Sequence, residues 1–179
     1  MDLAKHGGLK VIGLDLGTST GWAVFDGVSV LRSGQVELKE HAWEGVGMRP
    51  FRAAVLVRRL LDEHPGAVVA IELVRRHLGT QAAQLYGAIL GAVTSTVEGH
   101  GEARYVFVSV QDVKIAAAGN GAASKRSVVE AARVIYGVDA AGEDQADAVF
   151  VAVAAWRREM ESDRLVLDPS PKKSRRGSA

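Results

Sequence analysis

The sequence predicts an α/β domain, a mixed β-sheet flanked by helices, on three observations. Dense β-branched runs near the N-terminus are separated by tight-turn residues, as in strands joined by hairpins. Ala67–Ile71 is short and continuously apolar, the pattern of a strand covered on both faces. Segments of helical period separate the later strands and close the chain.

Lys10–Leu16 reads as the first strand, and Gly21–Val36 continues with Trp22, Val24, Val28, Val30 and Val36 broken at Asp26-Gly27. This makes three consecutive strands. Pro50 opens a helix whose predicted buried face is Phe51, Val55 and Leu60, with Arg52, Arg58 and Arg59 toward solvent; His64-Pro65-Gly66 stops it. The Ala67–Ile71 strand follows. Thr80 to about Glu98 is a long helix whose small residues Ala83, Gly87 and Gly91 would allow close helix packing, and Arg104–Val110 is another strand. Ser124 is a good N-cap for a helix with Val128, Val129, Ala132 and Ile135 in period, ended by Gly137. From about Glu143, Ala146, Ala148, Val149, Ala152, Val153 and Trp156 give a last apolar helix. The predicted order is βββαβαβαα, with no internal repeat.

At 179 residues the chain is long enough for one domain with a substantial core and too short for two independent lobes. A composition 47% hydrophobic and 24% charged excludes disorder and collagen-like repeats. With no cysteine there is neither a disulfide framework nor a thiolate metal site. No apolar run approaches the ~20 residues of a membrane span, and the start lacks the apolar stretch of a secretory signal. The expected setting is cytoplasmic, with no membrane partner. The chain has 22 basic and 21 acidic residues; residues 168–179 hold four of the bases and one of the acids, which leaves the body at net −2. The expected organisation is a domain over 1–167 and a disordered basic tail over 168–179, either passively solvated or touching phosphates.

Four acids stand where a purely structural role is awkward. Asp15 and Glu72 each end an apolar strand, so strands aligned the same way would put their side chains together and raise a pKa unless a cation sits between them. Asp144 and Asp147 are spaced i, i+3 at the start of the last helix, a like-charge arrangement whose cost a cation would reverse. Glu143, i, i+4 to Asp147, competes with Asp144 for that role. Oxygen donors without His or Cys select Mg²⁺ or Mn²⁺ over zinc. Two such ions ~4 Å apart would activate water and stabilise the leaving oxygen of a phosphodiester. Gly119-Asn120-Gly121 leads into Ser124-Lys125-Arg126, a helix start suited to a phosphate, and Lys114 precedes it. Arg75, Arg76 and His77, directly after Glu72, would flank the site as contacts to a nucleic-acid backbone.

In order along the chain, Gly13-Leu14-Asp15-Leu16-Gly17-Thr18 with Gly21-Trp22-Ala23-Val24 resembles the first strand and hairpin of RuvC-type Holliday junction resolvases. Ala70-Ile71-Glu72 resembles the family's second acidic strand end, and Gly87-Ala88 to Val93 the helix after it. Val113-Lys114, Gly119-Asn120-Gly121 and Ser124-Lys125 resemble its lysine-bearing loop and helix start, and Asp144-Gln145-Ala146-Asp147-Ala148 its closing D-x-x-D-A helix. The likeness runs from about residue 9 to 156. It implies a ribonuclease H-like fold and a metal-dependent endonuclease that cuts four-way DNA junctions as a homodimer in recombination and repair, leaving 5′-phosphate ends; the compact chain with its basic tail would also suit a phage-encoded relative. It also implies that Asp15, Glu72, Asp144 and Asp147 bind two Mg²⁺ or Mn²⁺ ions, that Lys125 lies near the scissile phosphate, and that Lys114 contacts DNA. Many family members carry an aromatic shortly after the second acid, whereas this chain has Val74-Arg75-Arg76-His77.

Two alternatives stay open at this stage: a broader flap or fork endonuclease, and a DNA-binding module without catalysis. Asp15-Leu16-Gly17-Thr18 also resembles the phosphate loop of actin-like ATPases, but those need two lobes and roughly twice this length.

Overall fold

The computed structural model describes residues 8–74 and 79–167, with side chains described to 162. The predicted tail 168–179 and the predicted DNA contacts Arg75, Arg76 and His77 lie outside the described residues. The elements are β1 (Val11–Asp15), β2 (Ser19–Phe25), β3 (Val30–Glu37), α1 (Met48–Glu63), β4 (Val68–Leu73), α2 (Thr80–Gly99), β5 (Arg104–Ser109), α3 (Val110–Ala118), α4 (Lys125–Tyr136) and α5 (Glu143–Leu167). The sheet order is β3-β2-β1-β4-β5. β1, β2 and β3 pair antiparallel, while β1 with β4 and β4 with β5 pair parallel. This is the ribonuclease H-like mixed sheet flanked by helices that the resemblance implies.

Side chains on a strand alternate between faces, and here the alternation separates two cores. Ile12, Leu14, Trp22, Val24, Val69 and Ile71 pack against α1 and α2. Val11, Ala23, Phe25, Val68 and Ala70 pack on the other face against α3, α4 and α5. Both sides of β4 are therefore covered, as its unbroken apolar run requires. Between β2 and β3 the chain turns at Asp26-Gly27: the Asp26 carboxylate accepts from the amides of Val28 and Ser29, and Gly27 adopts φ 96°.

The long final helix is seated by two glycines. A methyl group at Gly13 would overlap the Ala148 carbonyl oxygen, and one at Gly21 would overlap the Asp144 carbonyl oxygen. With side chains absent at these two strand positions, and alanine at 146, 148, 152 and 155 buried on the helix, α5 lies directly on β1 and β2.

Three sequence expectations are corrected. Lys114, expected from the resemblance on a loop, lies on a helix, α3. This helix starts with no intervening turn after β5, yet carries a capping box: the Ser109 side chain accepts from the Asp112 amide, and the Asp112 carboxylate accepts from the Ser109 amide. The buried face of α1 is Ala53, Leu56, Val57, Leu60 and Leu61, and of the predicted residues only Leu60 belongs to it. Phe51 and Val55 are exposed, because a helical face recurs at three- and four-residue steps and the buried set satisfies that spacing throughout. On α2, Gly87 and Gly91 meet nothing within contact distance. Its packed side is instead Ile89, Val93 and Val97, so the small residues leave an open face rather than an internal helix contact.

Candidate active site

β1 and β4 are neighbouring parallel strands in register Leu14↔Ile71, so their last residues, Asp15 and Glu72, come side by side at the carboxyl edge. By alternation both acids point the way Gly13 and Ala70 do, toward α5. The contact of α5 with Gly21 then fixes its first turn over the same edge, bringing Asp144 and Asp147 toward them. From the other side, α3 supplies Lys114 and the first residue of α4 supplies Lys125. Asp15, Glu72, Asp147, Lys114 and Lys125, with Val110, Val113 and Val128, line one cavity of about 300 Å³.

The electrostatics of this cavity are those of carboxyls crowded without enough water. Burial, then the charge of Glu72 and a hydrogen bond to it, then the charges of Asp147 and Asp144, push Asp15 up to about 9. Glu72, only 7% exposed, is raised by burial, opposed by the hydrogen bond from Asp15 and by the charges of Lys125 and Lys114. Asp15 therefore holds the proton and donates it to Glu72. Asp147 is pushed up to about 6, by burial first and then by Glu72, with Lys125 opposing.

The remaining predicted residues are placed as follows. Asp144 acts on Asp15, Glu72 and Asp147 through its charge but is not part of the cavity wall. Its competitor Glu143 faces outward and holds Lys125, with Nζ to Oε2 at 2.6 Å, a contact that raises the lysine's pKa. Arg126 diverges from Lys125 and lines a separate surface pocket with Ser127, Glu130, Val134 and Ile135. Near the expected phosphate-binding loop, the Ser124 hydroxyl accepts from the Ser127 amide and the Asn120 side chain accepts from the Ala122 amide.

Two supporting residues carry no obvious sequence signal. Tyr86 of α2 donates its hydroxyl proton to the Glu72 carbonyl at 3.0 Å and accepts from the Val74 amide at 3.3 Å, bracing the strand end that presents Glu72. Buried Gln145 donates to the Ser33 hydroxyl and accepts from the Ala141 amide, tying the start of α5 to β3. An i, i+4 or strand-alternation reading sees neither residue, because their partners are distant in sequence or are backbone atoms.

Among the described residues, no three acids stand close enough together to grip an ion as they are placed. The donor chemistry nevertheless fits a hard divalent cation. All the donors are carboxyl oxygens, they are buried or half-buried and mutually repelling, and a divalent cation would offset the repulsion that raises Asp15, Glu72 and Asp147.

A carboxylate-rich site at the carboxyl edge of parallel strands, flanked by two lysines, on a ribonuclease H-like sheet, defines the class: a metal-dependent nuclease. The sequence matches the family described as crossover junction endodeoxyribonuclease RuvC over residues 11–155, and the chain belongs to that family. It is accordingly a Holliday junction resolvase. Among solved structures it is similar to Thermus thermophilus RuvC in complex with a Holliday junction substrate, with TM-score 0.74 and 26% identity over 86% of this chain and 97% of that one. A second structure of T. thermophilus RuvC gives TM-score 0.68 and 28% identity over the same shares. The yeast mitochondrial Holliday junction resolvase, at 13% identity over 90% of this chain and 84% of that one, shares the fold with TM-score 0.63. No curated protein matches the sequence. Among the described residues no helix is long and apolar enough to cross a membrane.

Proposed function

We propose that the chain hydrolyses one phosphodiester in each of two opposed strands of a four-way DNA junction, using Asp15, Glu72, Asp144 and Asp147 to hold two Mg²⁺ or Mn²⁺ ions. The observation that carries this reading is the meeting of three repelling carboxyls, buried Glu72 and half-buried Asp15 and Asp147, with two lysines around one cavity. Bound there, the ions supply Lewis acidity that activates water and stabilises the leaving oxygen. As a ligand Asp15 would be ionised, the proton it shares with Glu72 passing to solvent. Lys125 leaves Glu143 to neutralise charge developing on the phosphate, and Lys114 holds the strand alongside. The apolar wall of Val110, Val113 and Val128 limits water around these charges and so strengthens each interaction.

Arg75, Arg76, His77 and Arg126 are proposed as contacts to the DNA backbone. Paired cuts need two sites related as the substrate's strands are, so the active species is a homodimer. We place its two-fold contact on the open face of α2, where Ala83, Gly87 and Gly91 leave room for a close approach. Acting on chromosomal or phage DNA, the protein works in the cytoplasm.

The test is a nicking assay on four-way junction, flap, linear duplex and single strand with Mg²⁺ or Mn²⁺, beside Asp147→Asn. Paired symmetric cuts in the junction, absent in the variant while junction binding persists, are the expected result. Equal cutting of flaps would make it a general branched-DNA nuclease. Normal turnover by Asp147→Asn would end the metal-site assignment.

A further inference from the structure

Outside the cavity, the most unusual surface feature is a tryptophan. Trp43 is 84% exposed, while the other two tryptophans are covered: Trp22 lies in the sheet core, and Trp156 is half-buried edge-on to Phe25. An isolated exposed leucine or valine needs no explanation, but a solvent-facing indole on a fixed loop does. Trp43 sits in the segment 38–47 between β3 and α1, and that segment is braced. Arg52 of α1 donates to both carboxylate oxygens of Glu44, at 2.6 and 2.9 Å, and to the Lys39 carbonyl at 2.6 Å. Glu44 in turn accepts from the His41 amide at 2.8 Å, and Arg49 pairs with Glu40 at 2.8 Å. These hydrogen bonds and ion pairs order the loop without involving the indole.

The ring is also prepared for stacking. His41 lies parallel to it, with centroids 5.0 Å apart and planes 8° from coplanar. The flanking Gly45 and Gly47 offer no side chains that would crowd a flat ligand. Glu40 and Glu44 are both neutralised by arginines, so no unpaired acid of the brace repels a phosphate.

The loop's position links it to the nuclease site. Ser19 pairs with Glu37 and Asp15 with Gly21, and the buried Leu38 donates its amide to the Thr18 carbonyl at 2.7 Å. The loop therefore leaves the sheet at the same edge as the catalytic acids, two strands across and, because Asp15 is level with Gln35, three residues further along the strand direction, about 14 Å in all. Trp43 is five residues beyond Leu38, at most about 18 Å of chain. At about 3.4 Å per base step, one DNA arm lying across this edge covers the whole distance in about ten steps or fewer.

We propose that Trp43, backed by His41, is a stacking platform for a nucleobase of the DNA arm that leaves the cavity, close to the branch where helical stacking is interrupted. The inference rests on the junction-cutting reading and extends it to a specificity-determining contact. Every nucleobase offers a flat π-face, so the platform selects exposed bases over closed duplex without reading their sequence.

Wild type, Trp43→Ala and Trp43→Phe are compared in steady-state junction cleavage and in acrylamide quenching of tryptophan fluorescence. Trp43→Ala is expected to raise KM for the four-way junction by about 5- to 100-fold with kcat within twofold, since a base stack contributes in that range. Trp43→Phe restores most of the affinity. In EDTA, junction shields the quenchable fluorescence of wild type, whereas continuous linear duplex shields it less. An unchanged KM in Trp43→Ala, or undiminished quenching with junction bound, overturns the proposal. A fall in oligomeric mass on sedimentation of Trp43→Ala would overturn it in favour of a contact between copies of the chain. Wild type that cuts no branched DNA removes the functional reading and this inference with it, whereas cutting by wild type with no effect at Trp43 removes the inference alone.

Discussion

Asp15→Asn should make the metal-free protein more stable while abolishing cleavage. In the free protein the Asp15 carboxyl is protonated near neutrality, because burial and Glu72 push it up to about 9 from an ordinary 3.8. The unfolded chain would be ionised at the same pH. Below pH 3.8 both states carry the proton and the group costs nothing; above it unfolding releases a proton, so stability falls as pH rises, until the folded carboxyl also ionises near 9. The slope is about 1.4 kcal/mol per pH unit, giving an upper bound of about 4 kcal/mol at pH 7. Asparagine is neutral in both states and its amide still donates to Glu72, so it removes the cost while keeping the contact. A gain of about 2–4 kcal/mol corresponds to roughly 4–16 °C in Tm for a chain of this size. Thermal melts in EDTA between pH 5 and 8 measure it, and the gap between variant and wild type should widen with pH. Mg²⁺ should then stabilise wild type, by about 2.7 kcal/mol at one hundred times its Kd, and leave the variant almost unmoved. A variant no more stable than wild type at pH 8 would show that Asp15 is not held protonated by its neighbours.

Four further outcomes test other parts of the arrangement. Gly21→Ala forces a methyl into the Asp144 carbonyl and should cost about 1–3 kcal/mol in urea melts, with cleavage reduced more than the fraction unfolded explains, because the first turn of α5 must shift. Glu143→Gln frees Lys125 and should tighten junction binding a few-fold with kcat preserved; loss of cleavage would instead make Glu143 an ion ligand. Tyr86→Phe leaves the Val74 amide and the Glu72 carbonyl without the hydroxyl, for about 1–3 kcal/mol of stability by denaturant titration and a lower kcat at unchanged KM. Deleting residues 168–179, which removes four cations and one acid, should weaken junction binding and flatten its dependence on salt; an unchanged slope would make the tail a passive one.

The parts legible in the sequence are those governed by local rules. Asp26-Gly27 marks a hairpin, Ser124 and Gly137 bound α4 as cap chemistry requires, and the apolar run before Glu72 marks a doubly covered strand. Parallel alignment of two such strands was enough to pair Asp15 with Glu72. What depended on tertiary approach was not legible. Lys125 and Arg126 are adjacent in sequence, but a helix turns about 100° per residue, so one enters the cavity and the other leaves it. The small residues of α2 would allow close packing, but nothing in the helix says whether the neighbour comes from the same chain. The capping box at Ser109–Asp112 was readable, but the absence of a turn after β5 hid it.

The same contacts that stabilise the fold create the electrostatic cost at its edge. Gly13 and Gly21 let α5 settle onto the sheet and bury Ala146, Ala148 and Ala152. That seating leaves no freedom to carry Asp147 away from Asp15 and Glu72. A helix held less closely would relieve the repulsion by drifting outward, and the carboxyls would regain ordinary acidity in water. The repulsion persists because the apolar area buried along α5 outweighs it, and a divalent cation held as proposed would reverse its sign. On that proposal metal affinity and the stability of the metal-free fold are opposed at the same residues, so a neutralising substitution such as Asp15→Asn is expected to improve the fold and end the chemistry together.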